Sequence, residues 1–158
     1  MSQPEIDMAA VARVSRRVQL SEVRLVKFEV EQFSRIPGKL VPEITHDFAI
    51  SSESPDLLRV ACSFGFNVTS NNVQVATSKI VYHLFYRMSG DEPADPKDLK
   101  QFAVANGSYN SWPFVRELLH SMTGRMGLPP YVLPVLIIKP RQQAALPATK
   151  PALASSKK

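Results

Sequence analysis

The chain has a single cysteine, Cys62, with three histidines and six glycines in 158 residues. One cysteine excludes an internal disulfide, and a zinc site would have to be assembled from Cys62, His46, His83 and His120 alone, so no metal is expected. The glycines are scattered: none belongs to a G-x-G-x-x-G or G-K-[ST] loop, so no nucleotide or other cofactor is expected. No apolar run approaches the roughly 18 residues of a membrane span. The N-terminus, MSQPEIDMAAVARVSRRVQL, has no apolar leader core, and the expectation is a soluble cytoplasmic protein without membrane insertion. Acids are missing from residues 139–158, which hold Lys139, Arg141, Lys150, Lys157 and Lys158. The other 14 Lys and Arg balance 14 Asp and Glu, so the formal charge of +5 resides in the tail. A nucleic-acid binder would carry a basic folded face and aromatics for base stacking. The tail lysines have no aromatic neighbours, which disfavours nucleic acid as a partner and leaves a tail-based scaffold or nucleic-acid role as the alternative of another class.

What the chain does have is alternation. Val26, Phe28 and Val30 alternate with Lys27, Glu29 and Glu31, predicting a first strand over about 23–33 with one buried face. Pro37, Gly38 and Pro42 then force a loop that carries Ile36, Leu40 and Val41. A second strand follows from Ile44 to Ser51, and the clearest one runs from Leu58 to Val68. Ser70, Asn71 and Asn72 suit a tight turn into a fourth strand, Val73 to Met88, whose apolar phase shifts and predicts a bulge at 77–79. The acidic, proline-containing DEPADPKD reads as a solvated connection. Leu99, Phe102 and Ala103 predict a short helix ended by Asn106 and Gly107, and a longer amphipathic helix is expected from Ser111, with Pro113 in its first turn and Gly124 or Gly127 as its stop. YVLPVLII contains Pro134 and reads as an extended segment. The fold class expected is α+β, a four-stranded antiparallel sheet with a short and a long helix on one face, oligomeric, with Tyr82, Tyr86 and the first strand as subunit contacts. Residues 1–17 form a flexible arm in this reading, 18–138 the domain and 139–158 a disordered basic tail.

His46 and Cys62 could face each other across the second and third strands, but both lie on apolar phases, where Cys is a small hydrophobe and His a hydrogen-bonded core residue. No catalytic residues are assigned and no enzyme is expected. Apolar residues in proline-interrupted segments stand out instead, and exposed apolar patches mark partners.

The run Trp112-Pro113-Phe114-Val115-Arg116-Glu117-Leu118 resembles the aromatic-Pro-Tyr-Ala-Arg-Glu element of the SecB family of protein-export chaperones. Arg125, Leu128-Pro129 and Leu133-Pro134-Val135 are similar to its later Arg, Phe-Pro and Leu-x-Pro-Val positions, and Phe28-Glu29 to a Phe-Glu pair in its first strand. The resemblance covers about residues 20–138. It implies a dimer of dimers that holds unfolded or nascent client chains without ATP, in apolar grooves built from Phe33, Ile36, Leu40, Val41, Trp112, Leu128, Tyr131 and Leu133. Phe28, Glu29, Pro113, Arg116, Glu117, Pro129 and Pro134 are the motif positions with structural roles. Acidic sheet positions that help export members bind SecA are occupied here by Leu25 and His83, with Glu29 retained, which makes SecA doubtful. The chain is more similar to the SecB-like chaperones that accompany toxin–antitoxin pairs, so an antitoxin is the client expected ahead of general export precursors.

Overall fold

The structure, a computed structural model, describes residues 5–34, 38–90 and 93–137. The elements are α1 (Met8–Ser15), β1 (Val18–Gln32), β2 (Leu40–Glu53), β3 (Leu57–Ser70), β4 (Val73–Met88) and α2 (Pro96–Arg125). The four strands form one antiparallel sheet in the order β1-β4-β3-β2. β1 and β2, consecutive in the chain, are therefore the two edge strands.

Alternation in β3 and β4 follows from covering one face only. Leu58, Val60, Cys62, Phe64, Phe66 and Val68 are buried, as are Ile80, Tyr82, Leu84 and Tyr86, while their neighbours point to the opposite face. Asn71 and Asn72 join the strands with φ of 50° and 63°, the left-handed pair that a two-residue hairpin turn needs. The expected bulge lies slightly earlier than the sequence suggests. Val68 pairs with Ala76 and Thr69 with Gln74, so Val75 is the extra residue, and Val75 and Ala76 are buried in succession.

β1 starts five residues before the expected Val23 and is bulged twice, between Leu20 and Glu22 and between Leu25 and Lys27. Its expected buried face is not buried: Val26, the extra residue of the second bulge, Phe28 and Val30 remain 42–44% exposed, as do Leu20 and Leu25 at 39 and 42%, because α2 covers β2, β3 and β4 and stops short of this edge. Tyr82 and Tyr86, expected at a subunit contact, are instead on the covered face. The Tyr82 ring lies 6.0 Å from that of Phe114, and the Tyr86 hydroxyl accepts from Asn110 Nδ2 at 3.0 Å.

The two expected helices are one, of 30 residues. It begins inside the acidic connection, where the Asp95 carboxylate accepts from Lys97 N at 2.7 Å and Pro96 takes the first turn. Asn106 and Gly107 do not end it. Gly107 is there for contact: a Cβ would meet Phe48 Cδ1 at 2.9 Å. Pro113 lies inside the helix rather than in its first turn, at the loss of one N–H donor. The stop is Gly127, at φ 71°, with Gly127 N donating to Gly124 O and Leu128 N to Thr123 O, the paired bonds of a Schellman cap.

Within the segment read as an N-terminal arm, residues 8–15 form α1, capped by Asp7, which accepts from Ala9 N and Ala10 N. Ala10, Val11 and Val14 are buried, and Arg13 binds Asp98 of α2 through two contacts of 2.6 and 2.7 Å. The expected basic tail lies outside the described residues.

Candidate functional site

After α2 the chain runs back as an extended strap, 128–137, tied down at two points. Tyr131 N donates to Thr123 Oγ1 at 2.8 Å, and Trp112 Nε1 donates to Pro134 O at 2.9 Å. Between the strap and the start of β2 lies a groove of about 460 Å³. Leu40 and Pro42 form one wall, Leu128 to Val132 the other, and Phe66 and Val68 of β3 the floor. The Tyr131 ring lies 5.1 Å from that of Phe66, and burial holds the Tyr131 phenol protonated above its ordinary range. Thr123 Oγ1 donates in turn to Leu119 O, so this hydroxyl is occupied within the fold, and the side chains around it that line the groove are mostly apolar.

The groove brings together Leu40, Leu128 and Tyr131 of the expected client-binding set. Trp112 borders an adjoining hollow of about 390 Å³ that it shares with Arg116, Glu117, His120 and Val132. The other residues fall elsewhere. Leu133 is fully buried, because the strap turns this side chain into the core and Val132 outward. Val41 is 54% exposed on the opposite sheet face, since it alternates with Leu40. Phe33 follows β1, its N–H held by Val75 O, and Ile36 lies outside the described residues. Phe66, Val68 and Val132 were not expected in the site. Strand alternation points the first two toward the helix side, but it does not reveal that the layer above them is incomplete. Among the motif positions, Pro129 lines the groove, Pro134 anchors the strap, Pro113, Arg116 and Glu117 lie exposed on α2, and Phe28 and Glu29 occupy opposite faces of β1.

His46 and Cys62 are not cross-strand partners: His46 pairs with Phe64 and Cys62 with Phe48. The Cys62 thiol, pushed up to about 12 by burial, is a core group in contact with Gly107 O. His46 sits among Phe48, Phe64 and Trp112, with ring centroids 5.3, 6.5 and 6.3 Å away, and its Nδ1 is buried without a hydrogen-bond partner. Burial pushes its imidazole below the ordinary 6.5, against an opposing pull from Asp47. The folded chain therefore binds a proton here less readily than the unfolded chain. The resulting stability is present above 6.5 and is lost as pH falls through the lowered folded value. The urea midpoint is expected to fall between about pH 7 and 5, and His46→Gln should flatten that decline. His83, also lowered, contributes with the same sign, so an undiminished decline in the His46 variant would assign the effect to His83.

Among the described residues no group of three or more His, Cys, Asp or Glu could hold a metal, and no helix is long and apolar enough to cross a membrane.

No protein-family model matches the chain. Two curated relatives do. The SecB-like chaperone MT2006 of Mycobacterium tuberculosis strain CDC 1551 is 22% identical, with 84% of this chain and 85% of the relative covered. The SecB-like chaperone Rv1957 of strain H37Rv is 21% identical with the same coverage. The solved structure of Rv1957, in complex with a ChAD peptide from the Rv1956 HigA1 antitoxin, superposes with a TM-score of 0.74 at 21% identity, covering 82% of this chain and 98% of that one. The chain is thus similar in sequence to the SecB-like chaperones and has their fold.

Proposed function

We propose that this protein is an ATP-independent holdase that shields an unfolded or aggregation-prone chain in the groove between β2 and the strap, and that its client is a dedicated one such as an antitoxin. The observation that carries this reading is the groove itself, a trough lined by Leu40, Pro42, Phe66, Val68, Leu128, Tyr131 and Val132, in which apolar side chains predominate. Such a trough binds by area rather than by matching donors and acceptors, at about 25 cal/mol for each Å² removed from water, and so tolerates many client sequences. The antitoxin peptide held by the relative of like fold supports the choice of client. The reading is of a non-enzymatic, cytoplasmic protein that works as a homo-oligomer, a dimer of dimers, without docking on SecA.

Leu40→Ser together with Tyr131→Ser is the test. Each side chain contributes about 1.5–3 kcal/mol when buried against a client, so the double variant should need at least about tenfold more protein to suppress aggregation of a chemically unfolded client. Both residues are only partly buried in the chain, so the oligomer is expected to persist. Full holding by the folded variant would remove the groove from the mechanism, and dispersal of the oligomer would make these residues structural.

A further inference from the structure

The sheet face turned away from α2 is not uniform. At the end where β1 begins and β4 finishes, pairing aligns Arg24 with His83, Phe85 with Arg59, and Arg87 with Leu57. With strands about 4.8 Å apart and alternate residues about 6.8 Å apart, the four basic groups share a patch of about 10 by 14 Å. Phe85 is its centre: the Arg24 guanidinium lies 5.0 Å from the ring centroid and the His83 ring 6.3 Å away, edge-on. Arg59 directs its donors to Ser51, and among the described residues neither Arg59 nor Arg87 has a carboxylate partner. Among the described residues one acid lies within the patch, Glu22, and it is held by Arg24 in a two-pronged pair of 2.7 and 3.0 Å. That pair, two positions apart along β1, shows a guanidinium of this patch chelating a carboxylate. The other end of the same face is acidic, with Glu29, Glu31 and Glu43 around Lys79. A long polyanion following the face would run onto those acids. A short acidic segment would not, and Phe85 with exposed Leu57 offers it an apolar foothold.

We propose that this patch is a docking surface for an acidic segment of a partner protein, its carboxylates on Arg59 and Arg87 and an apolar side chain beside Phe85. The surface is separate from the client groove, on the opposite face of the sheet, so a partner could dock here while a client is held. His83 supplies a reporter in the unmodified protein. It is held below its ordinary value by burial and by Arg59 and Arg24; among the described residues the acid nearest it in the pairing is Glu22, opposite Phe85, and α2 lies on the far side of the sheet. A carboxylate arriving on Arg59 raises its pKa.

The probe is a short dye-labelled peptide of Asp and Glu with one central Phe, titrated against the full chain by fluorescence anisotropy at low and at physiological salt. Binding is expected, weakened by salt, and lowered by about tenfold or more in the Arg59→Glu, Arg87→Glu double variant, whose suppression of client aggregation is unchanged. The imidazole of His83, followed by NMR in the unmodified protein, should titrate at higher pH once peptide is bound; this readout stands even if the variant fails to fold. Absence of peptide binding, binding indifferent to the two substitutions, or an unmoved His83 would overturn the proposal. Tighter binding of a single-stranded oligonucleotide through the same arginines would overturn it in favour of nucleic acid. Loss of client holding with the peptide site intact would count against the groove and not against this surface.

Discussion

Replacing Gly107 by leucine is expected to lower the free energy of unfolding by about 3 kcal/mol, whereas Gly124→Ala in the same helix is expected to raise it by up to about 1 kcal/mol. At Gly107 an added Cβ would lie 2.9 and 3.3 Å from Phe48 Cδ1 and Cγ and 3.4 Å from Cys62 Sγ. Phe48 cannot withdraw freely, since its ring packs 5.7 Å from Phe64 and 5.3 Å from His46. A larger side chain must therefore lift α2 off the sheet or push β2 aside. At Gly124 the nearest atom is Pro130 Cγ at 3.9 Å, so alanine fits and the helix gains its propensity. Urea unfolding of the two variants beside the parent measures both signs, and equal effects would show that backbone freedom, not space, governs these positions.

The same two glycines illustrate how far the sequence could be read. Asn106-Gly107 and Pro113 carry the local marks of a helix end and a helix start, and local marks are all that a sequence displays. Contact of Gly107 with Phe48, a residue distant in sequence, decides otherwise. β3 and β4 were legible because they are central strands with one covered face, so burial and alternation coincide. β1 was misread in its limits and its burial, since two bulges break its phase and an edge position leaves its apolar side uncovered. In the groove, Leu40, Leu128 and Tyr131 could be found as apolar residues in proline-interrupted segments. Leu133 and Val132 could not be told apart, because a strap broken by Pro134 has no period to say which side faces inward.

For the homo-oligomer proposed above, Leu25→Asp together with Phe28→Asp is expected to give smaller species, approaching the 17.6 kDa of one chain. β1 is an edge strand of 15 residues with an apolar side that its own helices leave bare, and a two-fold axis beside it would set that side against its copy. Both residues would then count twice. Four buried side chains at about 1.5 kcal/mol each make about 6 kcal/mol, or more than about 10⁴-fold in association. Because both are already about 42% exposed in the single chain, the fold itself should tolerate the charges. Light scattering at micromolar concentration gives the answer, and an unchanged mass would place the subunit contact elsewhere.

The pairing of β1 with β4 also sets a schedule. β1 ends at Gln32 and β4 at Met88, 56 residues later. At about 5–20 residues per second of synthesis, β1 waits roughly 3 to 11 s for the strand it must lie against, and longer for α2. Through that interval Leu20, Leu25, Phe28 and Val30 leave the ribosome ahead of any sheet that could receive them. The chain proposed to shelter others is, during its own birth, a length of apolar strand in need of shelter.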